Sequence, residues 1–345
     1  MKQQPSIERI RVSSRDVAKL AGVSQATVSR VLNDFSHVNP KTRARVEAAM
    51  RELNYRPSAA ARSLMTQRTN LIGLVVSNIT NAFYPEIIEA ICDRALAADR
   101  TIILGSTAES GDRQAALLDL LAEQRVDGAI LTSAFIGGEK RIEPLIRHGF
   151  PLVLANRVNE RLDVDSVAID NRDGARVAVR HLFNTGRRSI AFIGGRVDTA
   201  TNRDKHQGYL DALEELDVEV DDALTRNGDY TYEHGYRAVQ HLIALGRSFD
   251  AILAADDTIA LGCMDAIIDA KLSIPRDVAV IGFDDIRVAS LRAVSLSTVS
   301  SQPARMGELA IELLLDRIEG RYKGNARQIL LPAELIVRRS SAASD

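Results

Sequence analysis

Hydrophobic positions follow two different spacings along the chain. In residues 12–53, apolar side chains recur every three or four positions, which is the spacing of one helix face, and this pattern predicts three short helices. From residue 71 onward, short apolar runs alternate with amphipathic stretches such as 85–98 and 113–124. The apolar runs are 71–76, 101–104, 128–131, 151–154, 189–193, 251–254 and 278–281. Continuously apolar strands that alternate with helices predict an α/β fold with parallel sheets covered on both faces.

The length of the chain indicates how many domains this pattern forms. The 345 residues exceed what one hydrophobic core usually serves, so more than one domain is expected. About 275 residues follow position 70, and two doubly wound sheets account for them better than one, with the break near Asn171. Ligands of such folds bind outside the carboxyl ends of the strands, which here predicts a cleft between two lobes.

Charge is unevenly distributed between the two parts of the chain. The formal net charge is −2, but residues 1–70 hold 13 Lys and Arg against 5 Asp and Glu, whereas the remaining residues hold 31 against 41. A basic segment of net charge +8 ahead of an acidic segment of −10 favours a polyanion-binding module attached to another domain.

Composition excludes several other classes of protein. The two cysteines, Cys92 and Cys263, cannot form a disulfide framework and fit a reducing compartment. No cysteine–histidine grouping has zinc-ligand spacing, so no metal is expected. No apolar run approaches the roughly 20 residues of a membrane span, and residues 1–5 lack the apolar core of a secretion signal. We therefore expect a cytoplasmic protein with no membrane partner.

The first 53 residues contain the start and stop signals of a helix–turn–helix unit. Ser13 and Asp16 have the spacing of a capping box, and Gly22 ends the first helix. Ser24 caps the second helix, and Pro40 occupies the first position of the third, where its missing N–H costs nothing. Two short helices separated by a tight turn at a glycine have the spacing of a DNA-binding helix–turn–helix.

The second helix presents a polar face opposite Val28. In a major groove, Gln25 can bond adenine, Ala26 can contact a thymine methyl group, and Arg30 can form two hydrogen bonds with guanine. The same residues could instead be solvated positions on a small helical bundle. The +8 charge of the segment favours DNA.

These residues lie within a long motif. The sequence reads RDVAKLAGVSQATVSRVLN at residues 15–33, TRARV at 42–46 and LNYRP at 53–57. It resembles the DNA-binding domain of the lactose-repressor (LacI/GalR) family of bacterial transcription regulators, and the resemblance extends over essentially the whole chain. For the DNA backbone, the resemblance implies contacts from Ser24, Thr27, Asn33, Thr42 and Tyr55.

The resemblance also implies three domains. A helix–turn–helix domain is expected at residues 1–56, a hinge helix and linker at 57–69, and an effector-binding and dimerisation domain at 70–345. In the family, the hinge folds when DNA is bound, and a leucine that matches Leu64 wedges into the minor groove. The alternative is a plain linker whose Leu64 packs on the body. We expect Leu64→Ala to weaken operator binding strongly and to leave effector affinity nearly unchanged.

The body resembles the effector domain of the family, which has the fold of periplasmic sugar-binding proteins and crosses between its lobes three times. This layout implies a first lobe of residues 70–170 and 297–325, and a second lobe of residues 171–296 and 326–340. The terminal strand, at 329–337, is expected to cross back to the second lobe.

The cleft positions of the family carry over to single residues of this sequence. They are Phe83, Tyr84, Asn156, Arg203, Lys205, Tyr230, Asp256 and Asp284. Three depart from the family pattern, because Asn156 stands where many members have Asp, Asp256 where Asn is usual, and Lys205 where Arg is usual. Lys offers a point charge instead of a planar fork, and an acid in place of an amide loses two donors. These departures leave the identity of the ligand open, and each residue alone could have an ordinary packing role.

Catalytic motifs are absent from the sequence. It contains no Gly-x-Ser-x-Gly elbow, no Walker phosphate loop and no Gly-x-Gly-x-x-Gly after a strand. We therefore expect a sequence-specific DNA-binding regulator, most simply a repressor, that is not an enzyme and needs no cofactor. Its expected partners are a near-palindromic operator, a second copy of the chain, and a sugar, sugar acid or sugar phosphate.

Other classes of protein share parts of this pattern. A cytoplasmic ligand-binding protein with a non-specific DNA-binding head is the main alternative. A sugar-transport protein would need a secretion signal and no basic head, and a doubly wound enzyme would need a catalytic constellation. A nucleoid protein would not need a ligand cleft. A regulator differs from all of these in preferring its operator over random DNA by several orders of magnitude.

Overall fold

A computed structural model describes residues 12–32, 37–55, 68–133, 139–159 and 161–342. The chain divides into two compact units, residues 1–69 and 70–345, which we call the head and the body. Asn33 and Leu64, and with Leu64 most of the predicted hinge, lie outside the described residues. Within the described ranges, no helix is both long and apolar enough to span a membrane.

Three helices form the head. They are α1 (Ser14–Ala21), α2 (Gln25–Leu32) and α3 (Pro40–Glu52). The predicted capping box is present at α1, where the Ser13 hydroxyl accepts the Asp16 N–H at 3.4 Å and the Asp16 carboxylate accepts the Ser13 N–H at 2.9 Å. Ser24 Oγ accepts the Thr27 N–H at 3.1 Å at the start of α2, and Asn39 caps α3 in a similar way. Short-range side-chain bonds therefore fix where each helix begins.

The turn between α1 and α2 depends on Gly22. Its φ of +61° lies in the left-handed region that favours glycine. A Cβ at this position would lie 2.7 Å from the Arg45 guanidinium, which itself donates to the carbonyl oxygens of Ala21 and Gly22. Val28 of α2 and Val46 of α3 are fully buried in the head core. The turn and the core together hold α2 in place against the other two helices.

Two six-stranded sheets form the body, as the α/β pattern predicts. The strands are β1 (Leu71–Val76), β2 (Thr101–Ser106), β3 (Gly128–Ser133), β4 (Leu152–Arg157), β5 (Asp165–Ile169), β6 (Ile190–Gly194), β7 (Thr225–Asn227), β8 (Ala251–Ala254), β9 (Ala279–Asp284), β10 (Ser297–Ser300), β11 (Gln328–Leu331) and β12 (Glu334–Ile336). The first sheet has the order β11-β5-β4-β3-β1-β2, and the second has the order β12-β10-β9-β8-β6-β7. All neighbouring strands are parallel except β10 and β12.

Helices cover the sheets. They are α4 (Tyr84–Ala97), α5 (Gly111–Glu123), α6 (Glu139–Arg147), α7 (Asn171–Asn184), α8 (Ala200–Glu215), α9 (Tyr232–Ala244), α10 (Asp257–Asp269) and α11 (Pro303–Ile318). Helix α11 packs on α4, α7 packs on α8, and α9 packs on α10. Strands β3, β8 and β9 are buried along their whole length, which explains the apolar runs in their sequences.

The chain passes between the two sheets three times. The crossings lie at residue 170, between β5 and α7, at residues 301–302, between β10 and α11, and at residues 332–333, between β11 and β12. Strands β5 and β11 are neighbours in the first sheet, and β10 and β12 are neighbours in the second. The three crossings therefore lie on one side of the body.

Two lobe boundaries differ from the prediction. The assignment of residues 297–325 to the first lobe is wrong for β10, which pairs with β9 in the second sheet. The assignment of residues 326–340 to the second lobe is wrong for β11, which pairs with β5 in the first sheet. The strand expected at 329–337 is two strands, because Pro332 lacks the N–H that a continuous ladder needs.

Candidate functional site

The first candidate site is the exposed face of α2 in the head. Gln25, Ala26 and Arg30 are exposed there, whereas Val28 and Val31 of the same helix are buried in the head core. The structure therefore places the predicted base-reading residues on one accessible surface.

A groove beside this face collects the residues predicted to contact the DNA backbone. Ser24, Thr27 and Thr42 line it together with Arg30. The hydroxyl groups of Ser24 and Thr27 lie 2.9 Å apart, so they form one polar patch at the start of α2. Tyr55 instead packs partly buried against the head core. Hydroxyl groups beside a helix N-terminus suit phosphate oxygens.

The second candidate site is a cleft between the two lobes of the body. Its lining residues are Asn81, Phe83, Tyr84, Asn156, Arg157, Thr201, Lys205, Tyr230, Asp256 and Asp284. Seven of the eight predicted effector-binding residues are among them. The lining comes mostly from segments that follow the carboxyl ends of parallel strands, which is where doubly wound folds bind ligands. The remaining cavity has a volume of about 20 Å³, close to what one water molecule needs.

Arg203 is the predicted cleft residue that the structure does not bring to this cavity. It is exposed on α8 and lines an adjoining cavity of about 600 Å³, which shares Asn156 and Thr201 with the cleft. Residues four apart on a helix share a face, so Thr201 and Lys205 both point into the cleft. Arg203 lies two positions from Lys205 and does not share that face of the helix, so its contact with the effector stays a prediction.

Lys205 supplies a buried positive charge to the cleft. Its ammonium group donates to the carbonyl oxygen of Ala255 at 2.9 Å and lies 3.9 Å from the centroid of the Phe283 ring. Burial lowers the pKa of Lys205, whereas the nearby carboxylates of Asp284 and Asp256 raise it. The side chain is thus held by groups of the protein itself.

Asp256 connects the two lobes. As the N-cap of α10, its Oδ1 accepts the Ile259 N–H at 2.7 Å. Its Oδ2 accepts a hydrogen bond at 3.2 Å from the side-chain amide of Asn81, which follows β1 in the first lobe. Burial, with the charge of Asp284, raises the pKa of Asp256 to about 6. One carboxylate therefore both starts a helix and bridges the cleft.

Two further buried carboxylates stand beside Asp256. Asp284 Oδ1 accepts a hydrogen bond from the Ser301 hydroxyl at 2.8 Å, and burial raises its pKa. Asp257 accepts the Thr298 hydroxyl at 2.6 Å and a backbone N–H at 2.9 Å, so both of its oxygens are bonded within the second lobe. Burial and the charge of Asp284 raise the pKa of Asp257 well above its usual value. The cleft floor is therefore rich in acceptors.

Arg157 forms a second contact between the lobes. Its guanidinium pairs with Glu109 at 2.6 Å and lies 4.7 Å from the centroid of the Tyr230 ring in the second lobe. The Tyr230 hydroxyl lies 3.2 Å from the hydroxyl of Thr199 and 3.4 Å from that of Thr201, and burial raises its pKa. The charge of Arg157 is therefore paired with the Glu109 carboxylate in the absence of a ligand.

The sequence reasoning missed three lining residues. Arg157 directly follows Asn156, Asn81 lies two positions before Phe83, and Thr201 lies four positions before Lys205. Their positions beside predicted residues, and the helical spacing of Thr201, were the available signals.

Metal binding finds no support in the described part of the chain. Within it, no group of three or more His, Cys, Asp and Glu side chains could hold a metal ion. The acidic residues of the cleft are instead bonded to N–H and hydroxyl groups of the protein.

Two family sequence profiles match the chain. The profile of the lacI family of bacterial regulatory proteins matches residues 15–58, and that of the periplasmic binding protein-like domain matches residues 179–341. The HTH-type transcriptional repressor PurR of Erwinia tasmaniensis is 36% identical over 330 residues, covering 95% of this chain and 96% of its own. The HTH-type transcriptional regulator RegA of Clostridium saccharobutylicum is 36% identical over 330 residues, covering 95% and 99%.

Solved structures share the same architecture. The lac repressor dimer bound to operator and the anti-inducer ONPF superposes with a TM-score of 0.86 at 28% identity, covering 96% of this chain and 99% of that one. The transcriptional regulator CelR in its cellobiose complex gives a TM-score of 0.73 at 33% identity, covering 96% and 100%.

A helix–turn–helix head joined to a two-lobed body with a polar interlobe cleft defines a ligand-responsive regulator of transcription. With these similarities, the chain belongs to the lacI family of bacterial regulatory proteins. The predicted fold and the predicted regulatory function are confirmed, and the chain is not an enzyme.

Proposed function

We propose that the protein binds a near-palindromic operator as a homodimer, and that a sugar or sugar derivative bound in the interlobe cleft controls its operator affinity. The observation that carries this proposal is the convergence of seven predicted cleft residues from both lobes around one cavity. Two similar proteins support the choice of partners, since one was solved as a dimer on operator DNA and the other with cellobiose.

On the DNA side, Gln25, Ala26 and Arg30 read base edges from α2, and Ser24, Thr27 and Thr42 contact phosphates. Their shared surface and groove support this assignment. Tyr55 and Asn33 remain predicted backbone contacts, and Leu64 remains the predicted minor-groove wedge. A repressor that acts on chromosomal DNA works in the cytoplasm, where that DNA lies.

On the effector side, the proposed binding residues are Phe83, Tyr84, Asn156, Lys205, Tyr230, Asp256 and Asp284, with Asn81, Arg157 and Thr201 added from the structure. A cavity of about 20 Å³ is far below the several hundred Å³ of ligand pockets, so a sugar ring needs either separation of the lobes or the adjoining cavity of about 600 Å³ that Arg203 lines. The ligand then favours one arrangement of the lobes, and the coupling to DNA is reciprocal.

The proposal is tested by measuring DNA affinity and ligand affinity on the same full-length protein. Selection from a pool of random duplexes provides the operator, and fluorescence anisotropy compares it with scrambled DNA. We expect the operator to bind at least a thousandfold more tightly than scrambled DNA, with an affinity that falls steeply as salt is added. One sugar identified in a thermal-shift screen should shift the operator-binding curve. Equal affinity for both duplexes would favour a ligand-binding protein with a non-specific head.

A further inference from the structure

A cavity of about 600 Å³ adjoins the interlobe cleft and shares Asn156 and Thr201 with it. Ligand pockets have volumes of roughly 300–1,000 Å³, so this cavity is large enough for a sugar ring, whereas the cleft cavity of about 20 Å³ is not. The shared residues come from both lobes, because Asn156 belongs to β4 and Thr201 to α8. A ligand held by the cleft residues therefore has space for a second unit beside it.

The first lobe supplies one wall of this cavity from the edge of its sheet. Strands β5 and β11 are paired so that Gln328 lies beside Ser166, and Leu330 lies beside Ala168. Residues two apart on a strand point to the same face, so these four lining side chains form one patch that is polar at one end and apolar at the other. Leu330 is 62% exposed there. Such a patch suits a sugar ring, which carries C–H groups on its faces and hydroxyl groups around its edge.

The second lobe supplies another wall from the beginnings of two helices. Ala200, Thr201, Arg203 and Asp204 line the cavity from the first two turns of α8. Asn171 lines it from the first position of α7, where its side-chain amide donates to the carbonyl oxygen of Ile169 at 3.2 Å and leaves its oxygen available. The cavity therefore lies between the lobes, like the cleft beside it.

Three polar groups of this lining have no partner among the residues that the structure describes. They are the Ser166 hydroxyl, the Gln328 amide and the Arg203 guanidinium. Ser166 is only 4% exposed, and a buried hydroxyl group normally has a hydrogen-bond partner. Hydroxyl and amide groups both donate and accept, which matches the hydroxyl groups of a sugar. The cavity thus offers hydrogen bonds that the described protein groups do not use.

We propose that this cavity is a second subsite for the effector, which is then a disaccharide or another glycoside with a second polyhydroxylated ring. The cleft residues hold one ring, and the second ring lies on the patch formed by β5 and β11. Ser166, Gln328 and Arg203 form hydrogen bonds with hydroxyl groups of the second ring. This inference rests on the proposed sugar effector.

The test compares matched ligands on the full-length protein. Isothermal titration measures the affinities for maltose, cellobiose, lactose and melibiose, for the methyl glucosides and methyl galactosides that represent their single rings, and for glucose 6-phosphate and galactose 6-phosphate. We expect one disaccharide to bind at least tenfold more tightly than either of its rings alone and more tightly than both phosphates.

Variants of Gln328 locate the second ring. Gln328 is exposed at the edge of the sheet, so Gln328→Trp can fill the cavity without disturbing the core, and we expect it to lower the ratio of disaccharide to single-ring affinity at least tenfold. Gln328→Ala removes only the amide and should lower this ratio about threefold to tenfold. Gln240→Trp makes the same exchange at an exposed position of α9 that lines neither cavity, and it should leave the ratio unchanged. Thermal unfolding verifies that each variant is folded.

The possible failures are distinguishable. If a single ring binds as tightly as every disaccharide, the second subsite is overturned and the sugar effector stands. A wild-type ratio in both Gln328 variants would overturn the placement of the second ring in this cavity. Tighter binding of a hexose 6-phosphate than of every disaccharide would replace the second ring by an anion. No binding by any of these sugars, with operator affinity intact, would overturn the proposed sugar effector and this inference with it.

Discussion

The two candidate sites are built in opposite ways. On the head, the reading residues are exposed on one short helix, and nearby caps fix the backbone that carries them. In the cleft, most of the functional residues are buried, about half of them are ionisable, and they come from segments spread between Asn81 and Asp284. An exposed residue can therefore be exchanged with a local effect, whereas cleft residues such as Asn81, Asp256 and Arg157 are also partners of other side chains. Four expected results test this contrast.

The largest loss of affinity is expected for operator binding by the head. Arg30→Ala removes an exposed side chain that can bond a guanine twice, so operator affinity should fall about tenfold to a hundredfold. Fluorescence anisotropy with the operator measures this loss of affinity. Operators with single-base changes should show that the variant protein discriminates less between bases at one base pair. Effector affinity should not change.

Arg203→Ala is the matched control, since it removes an exposed arginine from the body. Operator affinity should stay at the wild-type value in this variant. An equal loss in both variants would mean that general charge, and not a base contact, accounts for the contribution of Arg30.

The next effect is expected in the cleft. Asp284→Asn replaces a charged acceptor by a neutral one, and hydrogen bonds to charged groups contribute about 1.5–3 kcal/mol, so affinity for the effector should fall at least tenfold. Isothermal titration measures the loss, and operator affinity without ligand should be unchanged. Wild-type ligand affinity in this variant would remove Asp284 from the effector site.

A third effect concerns the pH dependence of the free energy of unfolding, to which the buried carboxylate of Asp256 contributes. The folded pKa of Asp256 is about 6, above its ordinary value of 3.8, so the folded state binds this proton more tightly than the unfolded state. The contribution of Asp256 to the free energy of unfolding therefore falls as pH rises from about 4 to about 6, by up to about 1.4 kcal/mol per pH unit.

Urea unfolding of wild type and Asp256→Asn between pH 4.5 and 7.5 measures this difference, because the variant lacks the titrating group. The stability of wild type relative to the variant should decline up to about pH 6 and then level off. A difference independent of pH would show that Asp256 titrates normally.

The smallest effect is expected at the bridge between the lobes. Asn81→Ala deletes one hydrogen bond to Asp256 and should lower the free energy of unfolding by about 1 kcal/mol. A double-mutant cycle with Asp256→Ala should give a coupling of comparable size. Additive losses would mean that the two side chains act independently across the cleft.

The head was the more predictable region, for a physical reason. Ser13, Gly22 and Ser24 act through neighbours a few residues away, so their roles could be inferred from local spacing. The position of Leu64 in a folded hinge depends on a partner chain and DNA, and it stays a prediction.

The residues that line the cleft could be predicted from the sequence, but the hydrogen bonds between them could not. Lys205, Tyr230 and Asp256 follow strands of one sheet, and parallel strands bring such residues together. The Asn81–Asp256 bond joins residues far apart in sequence, which no local pattern encodes. Arg203 lies outside the small cavity because it does not share the helix face of Thr201 and Lys205.

The lobe boundaries failed for a different reason. Strand β10 is short and carries two serines and a threonine, so it lacks the apolar run that marks the central strands. Its membership of the second sheet depends on pairing with β9, which is a long-range contact.

The three crossings between the sheets have a mechanical consequence. Each contains only one or two residues, and all lie on one side of the body. Connections this short permit little sliding or separation of the lobes and leave rotation about one line as the easy movement. The width of a molecule bound in the cleft would therefore set the angle between the two lobes.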